Sequence, residues 1–472
     1  MNGSDPEIEM IVRGGTVVDA SWSGPADVLI GGGRVLALSA PGAPLPPGAE
    51  DAHVIDATGR LVLPGGVDAH CHVGYTSGEY TSLDGYRECT TAAVFGGTTT
   101  IVDFAIPQRG ERTIDVAHRQ RELAAEGLCD SALHASVIEW DDTTAEQLAQ
   151  LCAEGIVTVK MFTTYRGETM ADADTILNTM KVLRDHGGMA VVHCEENAII
   201  EEDQRRSVER SEIDAAHMAA TRSELAELAA VSEVVALAES VDAPVYLVHQ
   251  STPAAVELAA AARRRGVRVY TEAVAHHLVL DDARYRGENP ERWVCCPPLR
   301  PRATVDALGT YLAKGEITTV SSDHCCYDLE QKEAHVEDVR EMPNGLPGVE
   351  TRLPVLFSRY VNGGGLDLRR FVELTAANPA KVNGIYPRKG ALMPGSDADI
   401  AIWDPAEVWT LEAAKLHMAT DYTPYEGHEV TGRPTTVLVR GTVVVDAGEL
   451  VDGTARGRHV PSAPLDPAAW LV

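Results

Sequence analysis

Six side chains that can take part in metal binding end apolar runs of this chain: His70, His72, Lys160, His193, His249 and Asp323. The first two form His-x-His at the end of the run 67–73. On an extended backbone, side chains two residues apart point the same way, so both imidazoles can face one ion. Taken singly, each residue also fits a plainer role. His-x-His occurs as structural or solvent-facing pairs, Lys160 can snorkel from a strand end, and Asp323 can cap the turn that follows it. His193 and His249 can each be a satisfied core or edge histidine. Taken together, six such groups at the same end of five runs are the convergence expected of a site, and the chemistry they suit is metal-assisted.

The elements that must position them alternate between apolar runs and helical stretches. Strands are expected at 67–73, 98–104, 132–138, 157–162, 189–194, 245–249, 268–272 and 317–321, with helices such as 216–239 and 253–265 between them. Eight strand–helix units make a (β/α)8 barrel of the TIM type, whose active sites lie at the C-terminal strand ends. Both ends of the chain have another texture. Glycine-punctuated β runs at 10–19, 27–38 and 53–62 are matched by 399–403 and 436–446, with a proline-rich loop at 41–47. The expected organisation is α/β, with a smaller β-sandwich domain built from both termini. Its N-terminal part is 1–62, the barrel 63–384, its C-terminal part 385–450, and 451–472 is a tail.

Composition narrows the partners. A formal charge of -30 argues against nucleic acid, which calls for a basic face. No apolar stretch is long enough to span a membrane and the N-terminus lacks a signal-peptide pattern, so the expected address is the cytoplasm. Nine cysteines without CxxC spacing suggest no disulfide framework.

The motifs GGVDAHCH (65–72), VKMFTTY (159–165), VVHCEEN (191–197), VHQST (248–252), SSDHC (321–325), PNGLPGVE (343–350) and NPAK…YPRKGALMPGSDADIAIWDP (378–405) resemble the successive signatures of the D-hydantoinase/dihydropyrimidinase family of amidohydrolases. The likeness runs from about residue 14 to 446. It implies two divalent ions per chain, zinc in the usual case. His70, His72 and Asp323 would bind the first, His193 and His249 the second, and a CO2-carboxylated Lys160 would bridge them. A free ammonium beside two dications is repelled, whereas a carbamate reverses that charge.

The resemblance further implies hydrolysis of the cyclic amide bond of hydantoins or dihydropyrimidines, turning a 5-substituted hydantoin into an N-carbamoyl amino acid. The nucleophile is a hydroxide shared by the ions. Asp323 would carry its proton to the leaving nitrogen, and Tyr165 would donate a hydrogen bond to the oxyanion. Cys296 and Asn344 would hold the amide edge through their backbone. Phe162 and the loop 73–80 would form the specificity pocket. Relatives commonly have serine where Cys296 stands, and 271–278 is closer to the dihydroorotase version of its strand. Allantoinase and dihydroorotase chemistry are the rival activities, and Tyr165 favours the hydantoinase branch. A non-catalytic scaffold related to dihydropyrimidinases is the rival of another class, and retention of all six ligand positions argues against it. The implied partners are a small cyclic amide or ureide and further copies of the chain, as a tetramer or dimer. The segment 411–424 and the tail are candidate contact surfaces.

Overall fold

The computed structural model describes residues 7–44, 49–451, 453, 454 and 456–465; positions 45–47 of the proline-rich loop and the outer part of the tail lie outside them. The eight apolar runs are parallel strands: β1 (Gly66–Cys71), β2 (Thr98–Ala105), β3 (Asp130–Ser136), β4 (Thr158–Phe162), β5 (Met189–His193), β6 (Val245–Leu247), β7 (Val269–Val274) and β8 (Thr319–Ser321). They pair in chain order around a nearly closed barrel. Every residue of every strand is buried, because helices cover the outside while side chains fill the inside.

Strand alternation separates two cores. Val159 and Met161 of β4, Ala190 and Val192 of β5, and Val245 and Leu247 of β6 pack outward, against Leu148, Ile176, Val231 and Ala255. Phe104, Val191 and Tyr246 belong to a different cluster, as do Phe162 and Tyr270. Lys160 stands between Val159 and Met161, so the two-residue period turns its amine into the barrel. Gly65 allows β1 to lie close to β2, since a Cβ there would sit 2.0 Å from Thr99 Oγ1.

Side chains help close the seam between β8 and β1. Cys71 bridges His324, and His72 N–H donates to the His324 carbonyl at 2.8 Å. Deeper in the seam, Arg352 donates from Nη1 to the Val320 and Val67 carbonyls at 2.9 and 3.2 Å, and from Nη2 to Thr98 Oγ1 at 3.0 Å. Its Nε lies 3.3 Å from Asp68 Oδ2, with both side chains fully buried. Asp68 in turn accepts from the Ser322 N–H at 3.0 Å.

The β-rich ends form two sheets. Four N-terminal strands, Met10–Arg13, Asp27–Gly31, Arg34–Ser39 and His53–Asp56, make one. The other has seven strands and joins both ends of the chain where Ile400–Thr410 pairs antiparallel with Leu61–Pro64. Val12, Val28, Ile30, Val62, Ile400 and Leu438 form a shared core. Each long N-terminal run divides at its glycines into two strands, as at Gly14 (φ 78°), where the chain bends from one sheet into the other through a left-handed residue.

One expectation needs revision. The helix expected at 216–239 is a 3-10 turn, Ala215–Thr221, followed by the helix Glu224–Ser240; Arg222 interrupts it to reach a buried carboxylate. Residues 411–424 of the candidate contact surface mix buried and exposed positions. Leu411, Met418 and Tyr422 within it are buried, and 456–465 runs beneath the barrel, bonding to residues Gly127, Ser131, Gly155 and Gly187 beside the starts of β3 to β5.

Replacing Arg352 with methionine strands Asp68 as an uncompensated buried charge at the seam, which is expected to cost about 3–5 kcal/mol. Urea denaturation checks this against Arg359→Met, a half-exposed site expected to shift stability by no more than about 0.5 kcal/mol. Equal stabilities would remove the seam's special role.

Candidate active site

His70 ends β1 with Cys71, and His72 follows. Lys160 lies within β4, and His193 is the last residue of β5. His249 and Asp323 stand two residues beyond β6 and β8. Asp323 Oδ1 lies 3.0 Å from His70 Nε2 and 3.4 Å from His72 Nε2. The His193 and His249 ring centroids are 4.5 Å apart, and those of His70 and His249 5.4 Å. His249, Asp323 and Tyr165 have φ of 39°, 52° and 68°. Left-handed backbone costs a non-glycine residue about 1–3 kcal/mol, so the surrounding fold holds these side chains where free chain would not.

Two buried carboxylates orient the imidazoles. Glu272 Oε1 accepts from His70 Nδ1 at 2.7 Å and from the His249 N–H at 3.0 Å, while Oε2 accepts from the Tyr246 hydroxyl at 2.6 Å. His70 therefore turns Nε2 toward Asp323; burial opposes its charge, but the two carboxylates outweigh that and raise the imidazole to about 9 in the absence of metal. Glu195 Oε2 accepts from His193 Nε2 at 2.8 Å and from Arg222 Nη1 at 2.5 Å, leaving His193 Nδ1 free of that bond. Burial alone would raise the Glu195 carboxyl; Arg222, His193 and Arg300 together outweigh it and hold the group at about 2.

These groups fit a metal centre. Among the described residues, His72 Nδ1 and His249 Nδ1 are buried without a hydrogen-bond partner, and His70 Nε2 faces only Asp323. His70, His249 and Asp323 each offer a ligand atom within 4.8 Å of the other two. Burial lowers His72 to about 4 and depresses His193 and His249, keeping these imidazoles in the neutral form that binds metal. Lys160 is 1% exposed and, among the described residues, forms no ion pair. Its amine lies 4.8 Å from the centroid of Phe104 and 4.9 Å from that of Phe162. Burial brings it down to about 8, so a share is the neutral amine that can react with CO2.

Tyr165, Phe162, Cys296 and Asn344 line the same cavity as His72, Lys160, His193, His249 and Asp323. The Arg222 guanidinium lies 5.0 Å from the Tyr165 ring centroid. His70 is buried behind the cavity wall, stacked edge-on to Phe104. The loop after β1 folds over the mouth as a short hairpin, Thr76–Ser77 with Tyr80–Thr81, and contributes Tyr75 and Ser77 to the lining. Gly345 lets the 343–346 segment pass β8, since a Cβ there would meet Cys325 Cβ at 2.8 Å.

Reading the chain alone assigned no role to Glu195, Arg222, Glu272, Phe104, Tyr246 or His276. Glu272 and Glu195 carried a usable signal: an acidic residue inside or just beyond an apolar strand needs a buried partner. Arg222 carried none, because its partner lies 27 residues away.

Residues 61–444 match the amidohydrolase family. The D-hydantoinase of Ralstonia pickettii is 37% identical over 457 residues, covering 96% of this chain and 98% of that protein. The dihydropyrimidinase of Rattus norvegicus is 35% identical, over 98% of this chain and 90% of its own. The crystal structure of dihydropyrimidinase from Brevibacillus agri NCHU1002 superposes with a TM-score of 0.93 at 36% identity, covering 97% of this chain and 99% of that one.

Ser82 pins the hairpin over the cavity: its hydroxyl donates to the His72 carbonyl at 3.1 Å and accepts from the Tyr75 N–H at 3.0 Å. Ser82→Ala is expected to loosen 73–82 by about 1 kcal/mol, speeding hydrogen exchange there about fivefold without altering exchange in β4 or β5. Unchanged exchange at 73–82 would show that the hairpin is held by other contacts.

Proposed function

The chain belongs to the amidohydrolase family, and on that premise we propose that it hydrolyses the cyclic amide bond of hydantoins or dihydropyrimidines, converting a 5-substituted hydantoin to an N-carbamoyl amino acid. The observation that carries this reading is the convergence of His70, His249 and Asp323, three ligand-capable groups from three strand ends, beside a buried lysine without an ion pair.

The family is metal-dependent, and the proposed ligands are His70, His72 and Asp323 for one divalent ion and His193 and His249 for the other. Neutral imidazoles with carboxylate oxygens suit zinc. Bound there, the ions supply Lewis acidity for the ring carbonyl and a water acidified to a pKa of about 7. Lys160 joins the ligands after carboxylation: its neutral amine adds to the carbon of CO2, a C–N bond forms, and one proton is lost. The resulting anion would offer ligand oxygens to the ions and remove the repulsion an ammonium would exert.

Asp323 accepts the proton of the attacking water and delivers it to the ring nitrogen as the C–N bond breaks. The carbonyl carbon keeps the new C–O bond, and the ring opens to a carboxylate and a ureido group. The Tyr165 hydroxyl donates to the oxygen on which charge develops, with Arg222 beside its ring. Backbone groups of Cys296 and Asn344 hold the amide edge. Phe162 and the 73–80 loop border the substituent at the ring's carbon. The partner is thus a small cyclic amide or ureide.

We also propose the division into a β-sandwich from 1–62 and 385–450, a barrel at 63–384 and a tail at 451–472. A homo-oligomer, tetramer or dimer, acting in the cytoplasm, completes the proposal and rests on family resemblance.

A panel of hydantoin, 5-substituted hydantoins, dihydrouracil, allantoin and dihydroorotate tests the branch. Opening of the first three classes is expected; opening of only the last two would overturn it. Tyr165→Phe is expected to lower turnover about 100-fold while metal content stays unchanged. Turnover near that of the parent protein would remove Tyr165 from the mechanism.

A further inference from the structure

A second group of ligand-capable atoms lies beside the cavity and is unused by the hydrolytic machinery. His276 and His277 belong to the short helix Ala275–Val279 that follows β7. Cys295 comes from the segment before Pro297. The three are 4%, 2% and 3% exposed, and each offers a ligand atom within 4.8 Å of the other two. The two rings meet edge to face with centroids 4.4 Å apart.

One backbone carbonyl arranges two of these groups. His277 donates from Nε2 to the Pro297 carbonyl at 3.0 Å, which leaves Nδ1 as a lone pair. The Cys295 thiol donates to the same oxygen at 3.3 Å. Among the described residues, His277 Nδ1 and His276 Nε2 are both buried without a hydrogen-bond partner. Buried polar atoms are ordinarily satisfied, so two bare nitrogens beside a thiol call for a partner that protein atoms do not supply. An orienting carbonyl behind a ring is also the arrangement that steadies metal-binding histidines.

We propose that one ring nitrogen each of His276 and His277, together with Cys295 Sγ, forms a separate site for a borderline-soft divalent cation such as zinc or cobalt. Ligation displaces the thiol proton to water, so the set becomes two neutral imidazoles and one thiolate. Burial and two nitrogen donors exclude magnesium and calcium, which take oxygen ligands. Donors on one tetrahedral zinc lie about 3.5 Å apart, and the ligand atoms here lie within 4.8 Å of one another. Three protein ligands leave a fourth position. His276 and Cys295 also line the catalytic cavity, so that position opens toward the substrate. A cation here obstructs the cavity, and excess metal inhibits the enzyme. None of these three residues is among the proposed catalytic ligands, so the inference stands apart from that assignment.

The test is titration of the purified protein, with its resident metals in place, with cobalt(II). A thiolate-to-cobalt charge-transfer band should grow in the near ultraviolet to one equivalent per chain, a signature that a centre of imidazoles and carboxylates cannot produce. Cys295→Ala should abolish the band and the inhibition by excess cobalt, whereas Cys296→Ser should keep the band. Absence of the band in the unaltered protein at saturating cobalt overturns the proposal whether or not the variants fold. Its persistence in Cys295→Ala, or its loss in Cys296→Ser, does so as well.

Discussion

The carboxylate of Glu272 carries more of this architecture than any other single group. It sits fully buried on β7 and joins four strands, bonding His70 of β1, the backbone after β6, Tyr246 within β6 and, through Tyr246, Thr319 of β8. Desolvation opposes its charge, and His70 with the surrounding donors outweighs that opposition and lowers its pKa. An ionised group in such a place needs its donors in fixed positions. The same requirement sets the ring orientation of His70 and the height of His249 above the barrel floor. Glu195 does likewise for His193 with Arg222 as counter-ion. The His70 and His193 rings are therefore aimed by neighbours that lie outside the cluster.

Closing the ring of strands and preparing the site are one problem at the seam. Arg352 and Asp68 supply bonds where the backbone ladder between β8 and β1 is thin, and Asp323 emerges directly above them. Asp323 then reaches His70 and His72 across that seam. Its left-handed backbone belongs to the same turn that carries the Ser322 N–H down to Asp68. The cavity above is built mainly from loops, which vary more readily than the strands beneath them. Specificity can thus change there while the cluster stays intact.

Much of this was legible in the chain. Apolar runs of four to eight residues marked all eight barrel strands, since a strand buried on both faces has little freedom in composition. Their two-residue period placed His70 with His72, and Lys160 opposite Val159 and Met161. The glycine turns that split the N-terminal runs were also written there, but a run cannot show how many strands it makes. The break in 216–239 was hidden for another reason. Alanine, leucine and glutamate favour helix on both sides, and Arg222 leaves it only because Glu195 waits inside the barrel.

By itself the sequence determined the barrel, its order of strands and the six groups at their ends, because hydrophobic periodicity and short motifs are local properties. The tertiary structure alone decided which nitrogen of each histidine faces inward, which carboxylates hold them, and that His276, His277 and Cys295 share one buried corner. Those facts depend on donors and acceptors brought together from distant segments, where exclusion of water makes every unpaired group count.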